Sequence, residues 1–151
     1  MGTDGFVALS AELTGFGAAE LWATGMVEVY RTAVGERVGE ERLAELAAAV
    51  ACAAASDGTP VRPADEALGE LAVAVAHLWY TGSWPGLPEQ VRERLGCAAD
   101  DEPCTVHPDS YAAGLVWRTF DGHAPATHAP GFGSWSRPPQ EPLRASAGGG
   151  R

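Results

Sequence analysis

Between Ala64 and Tyr80 the apolar residues return every three or four positions. Leu68, Leu71, Ala72, Val75, Leu78 and Trp79 fall on one stripe, which is the spacing of a helix and not of a strand. Pro63 stands at its start and Asp65 and Glu66 occupy its first turn, where acidic groups suit the positive end of the helix dipole. Gly82 is a natural stop. No period-two alternation of useful length occurs in the chain, and no repeat of fixed period. The apolar surface must therefore be buried by helices packing on helices.

The remaining segments fit that expectation. Residues 6–13 predict a short helix broken at Thr14-Gly15-Phe16-Gly17. Glu20 to Val34 predicts a second, with Trp22, Met26, Val29, Tyr30 and Ala33 on one face and Gly35 as its end. Glu40 to Ala55 is strongly amphipathic through Leu43, Leu46, Ala47, Val50, Ala51 and Ala54, with Glu40 and Glu41 early. Glu89 to Leu95 predicts a short polar helix, and Pro108 opens one over Asp109 to Phe120. Asp57-Gly58-Thr59-Pro60 and Trp84 to Pro88 are turns, and Gly96 to Glu102 is an acidic loop expected to be mobile. The fold class is all-α: an irregular helical domain of about five or six helices over residues 1–122. An extended Pro/Gly-rich C-terminal arm at 123–143 and a tail at 144–151, expected to be disordered, complete it.

Composition narrows the function. The net charge of −10 excludes the basic patch that nucleic acid or an anionic membrane surface requires. Residues 1–110 hold 18 acids against 6 Arg, and residues 111–151 hold 2 acids against 4 Arg, so the body is acidic and the tail slightly basic. No apolar run reaches the ~18 residues of a membrane span, so no membrane insertion is expected. Of three Cys, Cys52 is expected to be a small buried residue of its helix. Cys97 and Cys104 flank the acidic loop and can bridge if oxidised.

Candidate sites concentrate in two stretches. His77-Leu78-Trp79-Tyr80-Thr81-Gly82-Ser83-Trp84 runs a helix out into a turn, and Tyr111 to Pro139 echoes it. Four of the five Trp (Trp79, Trp84, Trp117 and Trp135) lie there. In the arm, Gly131 and Gly133 flank Phe132 and permit close backbone approach, while Phe132 and Trp135 supply rigid apolar anchors of the kind that carry interface energy. Either the arm folds back on its own helices or it lies along a partner. The expected partner surface is Trp79, Tyr80, Trp84, Tyr111, Trp117, Pro130, Phe132, Trp135 and Pro138. No catalytic, cofactor-binding or metal residue is assigned. Cys97, Cys104 and His107 lack the close Cys pair of a structural zinc site. No G-x-S-x-G, Gly-rich phosphate loop or Cys–His frame is present. The alternative is a stand-alone helical domain that binds or converts a small molecule, with His77 or His123 and the Trp cluster lining a pocket.

Three segments in order, FVALSAELTGF (6–16), HLWYTGSW (77–84) and YAAGLVWRTFDGHAPATHAPGFGSWSRPP (111–139), resemble the small subunit of FAD-dependent sorbitol, glucose and fructose dehydrogenase complexes. The resemblance spans Phe6 to Pro139 and is weakest over 35–62 and 85–107. It implies a non-catalytic helical partner that helps a large subunit of the glucose-methanol-choline class to fold. The FAD and catalytic His would belong to that large subunit, and a haem-c subunit can complete such complexes. It also implies a twin-arginine export signal. None precedes Phe6, so the expectation is a cytoplasmic protein as given, or a periplasmic one if that segment was trimmed.

Overall fold

A computed structural model describes residues 1–55, 62–97, 101–125 and 127. Among these residues it is helical apart from one pair of short strands. The α-helices are α1 (Thr3–Thr14), α2 (Ala18–Trp22), α3 (Val27–Val38), α4 (Glu40–Ala54), α5 (Glu66–Thr81), α6 (Glu89–Leu95) and α7 (Ser110–Ala113). A 3-10 helix follows at Leu115–Phe120. The all-α expectation is met, with more and shorter helices than expected.

The stripe that predicted α5 makes it the axis of the molecule. Asp65 caps it, its carboxylate accepting from the Leu68 N–H at 3.0 Å. Ala67, Leu68, Gly69, Leu71, Ala72, Ala74, Val75, Leu78 and Trp79 are all buried, so the helix is enclosed on most of its circumference. It packs on α1, α3, α4, α6 and the 3-10 helix. Phe6 and Leu9 from α1, Tyr30 and Val34 from α3, and Leu43, Leu46 and Val50 from α4 close around it. Each fully buried Leu, Val or Phe contributes ~1.5–3 kcal/mol of transfer free energy, so this apolar centre outweighs every surface ion pair in the chain.

Three boundaries differ from the sequence expectation. The helix expected over Glu20–Val34 is two helices, broken at Thr24-Gly25. Gly25 takes a left-handed φ of 72°. Thr24 Oγ1 donates to Leu21 O at 2.7 Å and accepts from Met26 N–H at 3.1 Å, replacing the helical bonds on both sides. Trp22 therefore leaves the Tyr30 face and lies 46% exposed. Gly35 does not end α3, which runs on to Val38 and stops at Gly39. Residues 109–120 are likewise split, by Gly114.

The acidic loop also departs from expectation. Residues 98–100 lie outside the described residues, but Asp101 is anchored. Its carboxylate accepts Trp84 Nε1–H at 2.6 Å and Leu87 N–H at 2.8 Å, with the Arg37 guanidinium 3.7 Å away. The anchored loop brings in the strands that the sequence did not disclose. β1 (Ser83–Trp84) pairs antiparallel with β2 (Cys104–Thr105), Ser83 opposite Thr105 and Trp84 opposite Cys104. Cys52 is exposed on α4, not buried, because the buried stripe of that helix is Leu43, Leu46 and Val50 alone. Cys97 and Cys104 are not bridged. No helix among the described residues is long and apolar enough to cross a membrane.

Candidate functional site

The end of α5 is where the two aromatic stretches meet. Gly82 ends the helix with a φ of 77°. A Cβ at that position would overlap the Ser110 carbonyl, so only glycine lets residue 110 lie against the helix end. Ser110 is buried, its hydroxyl 2.7 Å from Gly82 O and 2.6 Å from His107 O. Gly114 repeats the device from the other side of the contact, since a Cβ there would stand 2.7 Å from Tyr80 O. Two close backbone approaches thus clamp 110–114 onto α5 and set the 3-10 helix beside it.

Side chains then divide by direction. Trp79 is fully enclosed. It lies edge-on to Tyr30 with centroids 4.8 Å apart, stacks near Phe6, and donates from Nε1 to the buried Ser10 Oγ at 2.9 Å. Trp84 is equally enclosed, with the Arg37 guanidinium 5.6 Å from its ring centroid. Neither tryptophan, both expected to face a partner, has surface to offer in this fold. Each supports the region from beneath. Tyr80 is half-buried and donates its hydroxyl to Thr14 O at 2.9 Å, tying α5 to the end of α1.

The outward side is a ledge of three rings. Tyr111 is 45% exposed and Phe120 60%, with Trp117 between them. The Tyr111 and Trp117 centroids are 5.3 Å apart, and those of Trp117 and Phe120 6.0 Å, both edge-on. Trp117 Nε1 donates to Tyr111 O at 2.8 Å, which fixes the middle ring. The structure thus brings together three of the expected residues as surface or its support: Tyr80, Tyr111 and Trp117. Phe120 completes the ledge, though the sequence reading used it only as a helix end. Its exposure was hidden because an apolar residue at a predicted helix terminus looks like core. Pro130, Phe132, Trp135 and Pro138 lie outside the described residues.

Two of the histidines among the described residues are held in turns. His77 Nδ1 lies 3.0 Å from Ser83 O, and His107 Nδ1 accepts from Asp109 N–H at 3.2 Å, so both imidazoles are engaged in turns. No group of three or more His, Cys, Asp or Glu among the described residues is placed to hold a metal ion. Burial pushes the Cys97 thiol up from its ordinary value, with Asp101 adding to the effect. Two cavities stand out. One of about 530 Å³ lies between α3 and the segment 104–106, and one of about 280 Å³ lies between α1 and α4. Neither is lined by a histidine or a tryptophan, the residues expected to line a small-molecule pocket.

Compared with protein-family models, curated proteins and solved structures, the chain finds no match.

Proposed function

We propose that this chain is the small, non-catalytic subunit of a flavin-dependent sugar or alcohol dehydrogenase, docked on a large subunit of the glucose-methanol-choline class that holds the FAD. The observation that carries the reading is the ledge. Three aromatic rings are fixed in successive edge-on contact, the outer two of them left in water. Large exposed apolar residues held rigid in this way are typical of protein-binding surfaces. The ledge also falls inside one of the three segments on which the family resemblance rests. In a standard interface of ~800 Å² per partner, such anchors contribute about 2 kcal/mol or more each.

The test is co-expression of the full chain with a flavoprotein of that class from the same genome, reading flavin absorbance in the co-purified material. Tyr111→Ser with Phe120→Ser is expected to reduce recovered flavoprotein at least about tenfold while the circular dichroism spectrum is unchanged, since losing two anchors is worth more than that ratio. Undiminished recovery with both residues replaced overturns the reading.

A further inference from the structure

None of the ledge residues lines the larger cavity. One wall is α3, presenting Glu28, Val29, Thr32 and Glu36. The other is β2 and the residue after it, Thr105 and Val106. Arg37 also borders it, but its guanidinium is already committed. It donates to Ala33 O at 2.7 Å and to Cys104 Sγ at 3.0 Å, with Asp101 at 3.7 Å. Glu28 and Glu36 have no ion-pair partner among the described residues, so the uncompensated charge in this groove is negative. Among the described residues the sheet has two strands, none of them pairs with the outer edge of β2, and both residues of β2 are exposed.

We propose that this groove takes an extended, basic peptide segment of a partner protein as a third strand on β2. An open strand edge offers unpaired backbone groups to an incoming strand. The two carboxylates select its charge. Eight residues separate Glu28 from Glu36, which is about 12 Å along a helix. An extended chain covers that in about four residues at ~3.3 Å each. Side chains four apart on a strand share a face, and the one midway between them shares it too. The recognised pattern is therefore two basic residues four apart, with a small apolar residue between them to meet Val29 and Val106.

The probe is a short fluorescein-labelled peptide with two arginines in that spacing and a valine at the midpoint, titrated with the full chain by fluorescence anisotropy. Saturable binding is expected, weakened about tenfold or more by Glu28→Gln with Glu36→Gln, the loss of two facing ion pairs. Glu89→Gln with Glu93→Gln removes the same charge from α6 and is expected to change binding less than about twofold, the screened long-range part. Strand pairing along one edge uses alternate backbone groups. Of two peptides N-methylated on the two alternate sets, one is therefore expected to bind and the other not. Equal binding of both methylated peptides, equal weakening by the two charge pairs, or no saturable binding overturns the proposal.

Discussion

Two aromatic clusters are built alike and placed oppositely. Phe6, Tyr30 and Trp79 meet at centroid distances of 4.8 and 6.2 Å and are excluded from water. Tyr111, Trp117 and Phe120 meet at 5.3 and 6.0 Å, and their outer two rings stand in it. Centroid spacings are comparable, and stacked and edge-on pairs alike are worth ~0.5–1.5 kcal/mol beyond area burial. What differs is desolvation. The inner cluster has already gained the hydrophobic term by folding; the outer one keeps most of it available for association. The inner cluster is thus a device of stability, the outer one, on the proposed reading, of binding, and substitutions in the two are expected to separate those readouts.

Trp79→Ala carries the largest expected effect. It removes the ring between Phe6 and Tyr30 and leaves the buried Ser10 hydroxyl without its donor. A loss of about 3–5 kcal/mol is expected from the cavity alone. That is a large part of the stability of a chain this size. A urea melt measures it. A loss below about 1 kcal/mol would mean that the inner cluster is not the centre of the fold.

Trp84→Phe comes next. The ring stays, but the Asp101 carboxylate loses the Nε1–H donor that approaches it at 2.6 Å. Asp101 keeps Leu87 N–H and Arg37, so a loss of about 1–3 kcal/mol is expected rather than more. A loss matching that of Trp79→Ala would mean that the bulk of the indole, which the phenyl ring only partly replaces, and not its N–H alone holds the loop.

How much of this was legible follows from the range of each interaction. The α5 stripe was plain because nine of its residues are buried along one helix, and a local period reports that directly. The split at Thr24-Gly25 was missed because Thr and Gly are individually tolerated in helices. Only their joint use, with a hydroxyl replacing two backbone bonds, breaks one. The β1–β2 pair and the Asp101 anchor were illegible. They join residues some 20 positions apart over two-residue strands, too short for any alternation to register. For the site, Tyr111 and Trp117 were found by aromatic clustering at element ends, while Trp79 and Trp84 were assigned to the surface on the same signal. Clustering identifies the region; direction depends on Gly82 and Gly114, whose close approach to 110 and 80 appears only in three dimensions.

Tyr30→Phe sharpens the inner side of the comparison. The Tyr30 hydroxyl is buried with no hydrogen-bond partner among the described residues, and burial holds its pKa well above the ordinary 10.0. Removing a buried, unsatisfied hydroxyl while keeping the ring is expected to leave stability unchanged or raise it by about 1 kcal/mol. The pH dependence carries a sign. A folded pKa above the unfolded one means that the unfolded chain releases this proton first. The contribution is therefore complete below pH 10.0 and declines as pH rises past it toward the folded value. The phenylalanine variant is expected to lose less stability than the parent above pH 10.0, by chemical denaturation across that range. Parallel curves would show that the hydroxyl is solvated after all.

The smallest expected effect on stability belongs to Phe120→Ser, and it decides whether the outer cluster is what its exposure suggests. Phe120 is 60% exposed at the last position of the 3-10 helix and touches Trp117 with one edge. Losing that edge contact at the surface is expected to cost no more than about 0.5 kcal/mol. Trp117 keeps its bond to Tyr111 O and so should hold its place. Partner recovery, by contrast, should fall in proportion to the apolar area withdrawn. A melt that drops by several kcal/mol would place Phe120 in the core, and the distinction between a cluster that folds the chain and a cluster that binds would collapse at that residue.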